Sequence, residues 1–415
     1  MGKEKSFANK QRLVKLAFTL GMLTFPSGET CLGSGEPLQE AEKQFENGQF
    51  AQCLKTLGRS TSLSARILRG RVQLIEHPGS GQEFVSAVVE NRRNARALAW
   101  LGEISCRWPG QRAKSLAMAN DALNFAPKNA EILSLHGRTL FETGDKSRGI
   151  SEMCRAKSLD GRLFVCIDNL AQSYLENFES AKAKVEFDQL VQIFPKSPLT
   201  YAERAIFFDQ CGQNAQAEAD FDRALSLRPD FQLALAYKAS FLFRQKRYSE
   251  VLACAATCLK GGCENALTFR ARRAKIEAEK ALKKTADLID DLNHLIGQRA
   301  DFRNPGFSSS QLKDYLVERA WALEKQGKFD QALKDVDLVE ADKHSTSTTM
   351  LLRAKLLEDK NLWPAALRQY NKLLEGSAPV PEFLLGRARV YAKLGYRKLA
   401  EADLAAAEKM KGLKF

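Results

Sequence analysis

Apolar and small residues in the stretch 197–230 recur every three or four positions, in two runs separated by a polar turn. These positions are Tyr201, Ala205, Phe208, Ala217, Phe221 and Ala224. Gly212 stands between the two runs, and Pro229 closes the second one. Residues three and four apart share one face of a helix, whereas glycine and proline interrupt helices. The pattern therefore predicts two amphipathic helices joined by a tight turn.

The same order of small and bulky residues returns every 34 residues on both sides of this stretch. Ala171 and Ala239, for example, lie 34 residues before and after Ala205. The further upstream equivalents are Tyr174, Ala183, Phe187 and Pro195. Downstream, the small residues expected at helix crossings are Ala320, Ala332, Ala354, Ala366, Ala388 and Ala400. One helix pair cannot bury its apolar faces alone, but stacked pairs share a continuous core. The repeats therefore predict about eleven stacked helix pairs over residues 36–411.

This pattern resembles the tetratricopeptide repeat, whose signature is a small residue where two helices cross, an aromatic residue in each helix and a terminal proline. The stretch 197–230 departs from that signature at two positions, with Tyr201 in place of the opening tryptophan and Asn214 in place of the turn aromatic. The resemblance covers residues 36–411. It implies an all-α fold, a right-handed α-solenoid of about eleven tetratricopeptide-like helix-turn-helix repeats.

Residues 297–310 interrupt the repeat register with a stretch rich in glycine, proline and serine. Such composition predicts a loop. We therefore expect an N-terminal array over 36–296 and a C-terminal array over 311–411. The loop is either a hinge between the two arrays or an extended turn inside one continuous superhelix, and the residues leave both possibilities open.

The N-terminal segment 1–33 has the order of a secretory signal, with a basic part to Lys15, the apolar run Leu16–Phe25 and then small residues. This run is about half of the twenty residues that span a membrane. We predict that residues 1–33 are a signal peptide and that the protein is exported, whether periplasmic, envelope-associated or secreted. The alternative is an amphipathic helix that caps the array of a cytoplasmic protein.

The formal charge of +13 and the nine cysteines add little that is specific. A basic chain is attracted to nucleic acid, lipid headgroups and acidic proteins alike. The cysteines are too dispersed for a compact disulfide framework. Cys254, Cys258 and Cys263 form the one cluster, which fits ordinary packing or a local Cys258–Cys263 disulfide and lacks the paired spacing of a zinc site. Cys53 lies on an apolar helix face, where we expect burial.

The sequence contains no recognisable catalytic constellation. The four histidines are far apart, and none of the phosphate-binding, dinucleotide-binding, zinc-protease or nucleophile-elbow motifs is present. His136 precedes Gly137 at a predicted helix crossing, so partial burial explains it better than catalysis. The repeats also leave no stretch long enough for a separate catalytic domain. We therefore predict a protein that is not an enzyme and uses no cofactor or metal.

The resemblance implies that the first helices of successive pairs line a concave groove for a peptide or protein. The groove positions that we expect to contact a partner are Arg138, Gln172, Phe243, Arg244, Lys275, Trp321, Lys325, Lys355, Arg389 and Lys393. The Lys/Asn pair by which some relatives hold a terminal carboxylate is absent. Trp321 is the anchor candidate, unless it packs between neighbouring helices.

These positions predict a non-catalytic scaffold or adaptor for a protein or peptide partner. The alternative function is contact with nucleic acid or another polyanion through the basic surface, of which Arg270, Arg272, Arg273 and Lys275 form the densest cluster. No polar code repeats at equivalent positions, as helical readers of RNA require, so nucleic acid is the less favoured partner.

Overall fold

A computed structural model describes residues 36–47, 49–60, 62–76, 82–106, 110–260, 265–297, 309–341, 346–376 and 380–412. Within these ranges the regular structure consists of 22 α-helices and contains no strand. The helices are α1 (Glu36–Glu46), α2 (Phe50–Leu57), α3 (Leu63–Glu76), α4 (Gln82–Glu90), α5 (Ala95–Ser105), α6 (Arg112–Phe125), α7 (Ala130–Thr143), α8 (Lys146–Leu159), α9 (Phe164–Glu176), α10 (Ser180–Ile193), α11 (Pro198–Gln210), α12 (Asn214–Leu227), α13 (Gln232–Arg244), α14 (Tyr248–Leu259), α15 (Ala266–Ala281), α16 (Thr285–Gly297), α17 (Ser309–Lys325), α18 (Phe329–Glu340), α19 (Ser347–Asp359), α20 (Trp363–Gly376), α21 (Pro381–Lys393) and α22 (Arg397–Gly412).

The described helices follow one another as eleven helix-turn-helix pairs, from α1/α2 to α21/α22. In most of the pairs the two helices pack along each other, most extensively in α7/α8, α11/α12 and α21/α22. From α9 to α15, the first helices of successive pairs begin at equal intervals, at Phe164, Pro198, Gln232 and Ala266. The predicted all-α fold of helix-turn-helix repeats is confirmed.

The chain forms two compact units. Unit 1 contains the residues up to Gln245 together with Ala253–Ala271, and unit 2 contains Lys246–Leu252 and the residues from Arg272 onward. This division lies earlier in the chain than the segment 297–310. Most of that segment falls outside the described residues, as do residues 1–33 and Cys263, so the domain bounds, the signal peptide and the local disulfide stay predictions.

The small residues lie at the helix crossings, as predicted. Ala205 of α11 and Ala217 of α12 are both completely buried, and so are their counterparts Ala354 and Ala366 in α19 and α20. Aromatic rings then join one pair to the next. Phe187 lies 5.2 Å from Phe207, measured between ring centroids, and Phe221 lies 5.9 Å from Phe241. Each ring thus links a second helix to the first helix of the following pair.

A charged residue directly before the small residue of the first helix joins three helices at once. Arg204 donates two hydrogen bonds to Asp220 of its own pair, of 2.7 and 2.9 Å, and a third of 2.8 Å to Asp188 of the preceding pair. Both carboxylates are 16 residues from the arginine. The same arrangement recurs in Arg319 with Asp335 and Asn293, and in Arg387 with Asp403 and Asn371.

The N-terminal helices of unit 1 also contact helices that are distant in sequence. Phe50 of α2 is buried, and its ring centroid lies 6.2 Å from that of Phe231, the residue before α13. The Arg228 guanidinium lies over both rings, 5.6 Å from each centroid. Cys53 on the same helix is completely buried, as predicted, and burial raises the pKa of its thiol to about 11.

No helix in the described ranges combines the length and the apolar character that crossing a membrane requires.

Glu279 of unit 2 gives a testable pH dependence. The residue is 1% exposed, and one carboxylate oxygen lies 3.0 Å from Lys275 Nζ, which also binds Asp291. The other oxygen is buried without a hydrogen-bond partner among the described residues. Burial raises the pKa of Glu279 from 4.5 to about 7, against the opposing influence of Lys275. Between these two pKa values the folded state binds more protons than the unfolded state, so stability falls as pH rises through this window.

We therefore expect Glu279→Gln to stabilise the protein at pH 8, by about 1–3 kcal/mol, and to change stability little at pH 5. Urea unfolding at the two pH values measures the difference. Glu277→Gln is the control, because the side chain of Glu277 is 43% exposed and pairs only at the surface with Lys280. An equal loss of stability for Glu279→Gln at both pH values would contradict the prediction.

Candidate partner-binding site

Polar side chains on neighbouring first helices of unit 1 bind one another at two recurring spacings. Arg96 and Glu131 are 35 residues apart and 2.7 Å from atom to atom, and Trp100 donates to the same carboxylate across 31 residues at 2.8 Å. Gln172 and Glu203 repeat the spacing of 31 at 2.8 Å. These spacings lie close to the repeat length, so they place the partners side by side or one helical turn apart. Much of the first-helix face is therefore occupied by its own side chains.

The face over α3, α5 and α7 is closed in this way. Arg71 is buried, and its guanidinium lies 4.3 Å from the ring centroid of Phe45 and 5.8 Å from that of Trp100. Burial acts to raise the pKa of Glu131, but the charges of Arg96 and Arg71 together with the hydrogen bonds hold it below its ordinary value. The carboxylate is thus charged and already bound.

Arg138 of α7, predicted to face a partner, has a side chain that is only 5% exposed. It donates to Ser173 at 2.9 Å, to Glu142 at 2.5 Å and to Glu176 at 2.6 Å, and so fastens α7 to α9. Gln172 is likewise bound to Glu203 and half-buried. These two predicted positions lie on the expected face, where they bridge neighbouring first helices.

Further along unit 1, the first-helix faces of α11, α13 and α15 leave an open cleft of about 320 Å³. The residues that line it are Ile206, Asp209, Gln210, Tyr237, Ser240, Arg244 and Arg270. Of the predicted partner contacts, Arg244 lines this cleft, and Phe243 is half-buried beside it in sequence. The cleft brings together three successive first helices.

Two arginines and one aromatic ring dominate the cleft. The guanidinium of Arg270 lies 4.2 Å from the ring centroid of Tyr237, and its side chain is exposed whereas the tyrosine is half-buried. Burial raises the pKa of Tyr237, against the lowering effect of the Arg270 charge, so the phenol stays neutral. Arg244 pairs with Asp209. A guanidinium stacked on a ring keeps its edge donors directed outward, in the geometry that binds a carboxylate.

In unit 2, Trp321 and Lys355 stack on each other, with the ammonium nitrogen 5.0 Å from the ring centroid. Lys355 also donates to Glu382 at 2.7 Å, which again joins neighbouring first helices. Trp321 is half-buried, so part of its ring contacts the surroundings and part is accessible. Its role as an anchor stays a prediction.

Three further predicted contacts of unit 2 also have partners within the unit. Arg389 donates to Glu358 at 3.1 and 3.2 Å, and Lys393 lies 5.9 Å from the ring centroid of Trp363. Lys275 is half-buried against Asp291 and Glu279. Lys325 is exposed.

Tyr237 and Gln210 of the cleft were not among the predicted contacts. Tyr237 precedes Arg270 by one position less than the repeat length, which places the two side chains next to each other on neighbouring helices. An aromatic residue followed by an arginine near the repeat spacing was the available signal.

The described residues contain no group of three or more histidine, cysteine, aspartate or glutamate side chains placed to hold a metal ion. His136 is completely buried, beyond the partial burial that its position at a crossing predicts. One ring nitrogen contacts Asn120 at 2.8 Å and the other contacts Glu152. Both partners lie 16 residues away, so His136 occupies the position that Arg204 occupies two repeats later.

No protein-family model matches the sequence, and no curated protein matches it. Several solved structures do match it. PilF of Pseudomonas aeruginosa is 20% identical with a TM-score of 0.37, covering 59% of this chain and 99% of that chain. PilW, a widely conserved type IV pilus biogenesis factor, is 18% identical with a TM-score of 0.37, covering 52% and 94%. A tetratricopeptide repeat protein from Parabacteroides merdae is 17% identical with a TM-score of 0.29, covering 74% and 99%.

These TM-scores are all below 0.5. The fold is therefore assigned from the paired helices, the small residues at their crossings and the regular spacing of the first helices. By these features the chain consists of tetratricopeptide-like helical repeats.

Proposed function

We propose that this tetratricopeptide-like protein is a non-catalytic scaffold or adaptor that binds a protein or peptide against the first helices of its pairs. The supporting observation is the cleft over α11, α13 and α15, where the side chains do not close the face as they do over α3 to α7. A binding surface assembled from several repeats suits an extended or helical segment, because each repeat adds contacts along its length.

The chemistry of the cleft favours a segment with an acidic side chain beside an apolar one. Arg244 and Arg270 outnumber Asp209, so the cleft carries an excess of one positive charge. Ile206 and Tyr237 supply apolar surface next to these charges. Aromatic and arginine side chains are also the types that most often dominate protein interfaces. The predicted contacts of unit 2 that are exposed, Lys325, Arg389 and Lys393, would provide a further surface within that unit.

Selection from a phage-displayed library of random peptides tests the proposal. We expect the wild-type protein to enrich acidic peptides, and the double variant Tyr237→Ala/Arg270→Ala to bind the enriched peptides at least about tenfold more weakly by calorimetry. The matched control is Tyr201→Ala/Arg223→Ala, which removes another arginine over a tyrosine ring, at 5.7 Å and outside the cleft. Equal binding by the wild type and the Tyr237→Ala/Arg270→Ala variant, or no enriched peptide, would overturn the proposal.

The alternative function, contact with nucleic acid or another polyanion through the basic surface, is tested by the same calorimetry with a single-stranded oligonucleotide as the ligand. It would be insensitive to the cleft variant and would vanish at about 0.5 M salt. Export of the protein stays a proposal that rests on the order of residues 1–33.

A further inference from the structure

Phe178 is the most exposed large apolar residue of the described chain. It is 92% exposed, in the turn between α9 and α10. Val185, two turns along the chain in α10, is 63% exposed as well. Single exposed apolar residues are common, and a contiguous exposed apolar patch is the more informative feature. This turn is therefore a candidate contact surface.

The backbone at Phe178 is also strained. Its φ of +61° lies in the left-handed region, which a bulky side chain rarely adopts. The equivalent turn position in the pairs before and after is glycine, Gly144 with φ of +119° and Gly212 with φ of +72°. Phenylalanine thus occupies a glycine position at a cost to the fold. Strained residues of this kind concentrate at functional sites.

A second cleft of about 480 Å³ adjoins the exposed ring. Leu175, Ala181, Phe207 and Cys211 supply its apolar lining, and Phe178 itself forms part of its edge. The volume exceeds that of a phenylalanine side chain several times. A protruding ring and an apolar cleft thus lie side by side on one patch.

The charges on this patch cancel. Lys182 pairs with Glu179, and Lys184 pairs with Asp188 at 2.6 Å. The chain as a whole carries a formal charge of +13, which would repel a second copy from most approaches. A locally neutral patch is free of that repulsion, and it offers no net attraction to an acidic partner.

We propose that this patch is an isologous interface between two copies of the chain, in which Phe178 of each copy enters the cleft beside Phe178 of the other. A twofold interface needs one patch that is complementary to itself, which a ring next to a cleft provides. The contact buries the ring and so compensates the strain that the turn imposes. Gln210 lines both this cleft and the one over α11, α13 and α15, but the proposed contact uses Phe178 and the apolar lining and does not rest on the function proposed for the other cleft.

Sedimentation equilibrium of the full chain tests the interface. We expect the wild type to sediment as a concentration-dependent dimer. We expect Phe178→Gly to raise the dissociation constant of the dimer at least about 30-fold, as loss of a central aromatic anchor does. Phe178→Gly also raises the melting temperature of the monomer by about 1–3 °C, because glycine adopts this φ without strain. Loss of the dimer with a more stable monomer separates a contact role from a folding defect.

Two further variants sharpen the test. Lys246→Gly is the matched control, since Lys246 has a φ of +59° at the equivalent turn position of a later pair. It relieves the same strain and leaves the dimer unchanged. Ala181→Arg fills the cleft and also removes the dimer, whereas a mixture of Phe178→Gly and Ala181→Arg chains recovers one of the two contacts and associates more tightly than either alone. A wild type that stays monomeric at about 100 µM, or a Phe178→Gly chain that still dimerises, overturns the proposal.

Discussion

Replacing Gly137 with valine is expected to destabilise unit 1 by about 3 kcal/mol, as overpacking of a close helix crossing does. A Cβ atom at Gly137 would lie 2.7 Å from the carbonyl oxygen of Gly149 and 2.9 Å from Cγ of Met153. Met153 can adjust its side chain, but the carbonyl belongs to the backbone of α8. The two helices would therefore have to separate, and the buried contacts between them would weaken.

Urea unfolding followed by circular dichroism measures this effect as a lower transition midpoint. Gly376→Val is the matched control, because a Cβ atom at Gly376 would meet no atom within 4 Å at the end of α20. We expect that variant to stay within about 0.5 kcal/mol of the wild type. Equal midpoints for Gly137→Val and Gly376→Val would show that α7 and α8 do not cross at Gly137.

The repeat fold could be predicted because its main constraint is local and recurs. Ala205 and Ala217 must be small wherever two helices cross, and rings such as Phe187 must fill the space before the next pair. The same requirements apply in every repeat. The regular spacing of small and bulky residues is therefore visible in the sequence even where single positions depart from the pattern. The described helices form eleven pairs where that register predicts them.

The open part of the first-helix face could not be predicted from the register alone. Arg138 of α7 and Arg244 of α13 are both predicted contacts on first helices, yet Arg138 is buried among three acceptors whereas Arg244 lines a cleft with Asp209. Whether such a side chain is bound or accessible depends on the residues that the neighbouring repeat places next to it. The position of a residue within its own repeat does not reveal those neighbours. Tyr237 was not predicted for the same reason, because its partner Arg270 belongs to the next repeat.

The contact of Phe50 with Phe231 depends on a different quantity. It brings together helices that are separated by several intervening pairs, and their approach results from the small rotations between successive pairs added over unit 1. The pattern within one repeat does not determine this accumulated rotation. Burial of both rings could be expected from their apolar character, but their mutual contact could not.

The charged residue before the small crossing residue was visible in the sequence, and its function follows from the structure. Arg204, Arg319 and Arg387 each precede a buried alanine and each reach a carboxylate 16 residues later. The position combines a long side chain with a site at the junction of three helices. These arginines therefore fasten each pair internally and also to the preceding pair.

Replacing Arg204 with methionine is expected to destabilise unit 1 by about 3 kcal/mol, since it leaves the buried carboxylate of Asp220 without its two hydrogen bonds. Asp220→Leu should cost less, because Arg204 keeps its bond to Asp188 and its side chain is 20% exposed. In the double variant Arg204→Met/Asp220→Leu no buried charge remains unpaired, so the total loss should be smaller than the sum of the single losses by about 1–3 kcal/mol.

Urea unfolding of the four proteins of this cycle gives the coupling energy. Arg353→Met is the control, because its partners Asp337 and Glu340 have side chains that are 61% and 23% exposed, so that water can reach both carboxylates when the arginine is lost. We expect that variant to lose about 1 kcal/mol or less. Additive losses in the cycle, or equal losses for Arg204→Met and Arg353→Met, would mean that burial of the carboxylate does not determine the strength of this junction. A coupling energy in the Arg204 cycle, together with a small loss for Arg353→Met, would show that the buried arginine–aspartate pairs stabilise the crossings. The small residues permit the helices to approach, and these pairs would then hold them at that distance.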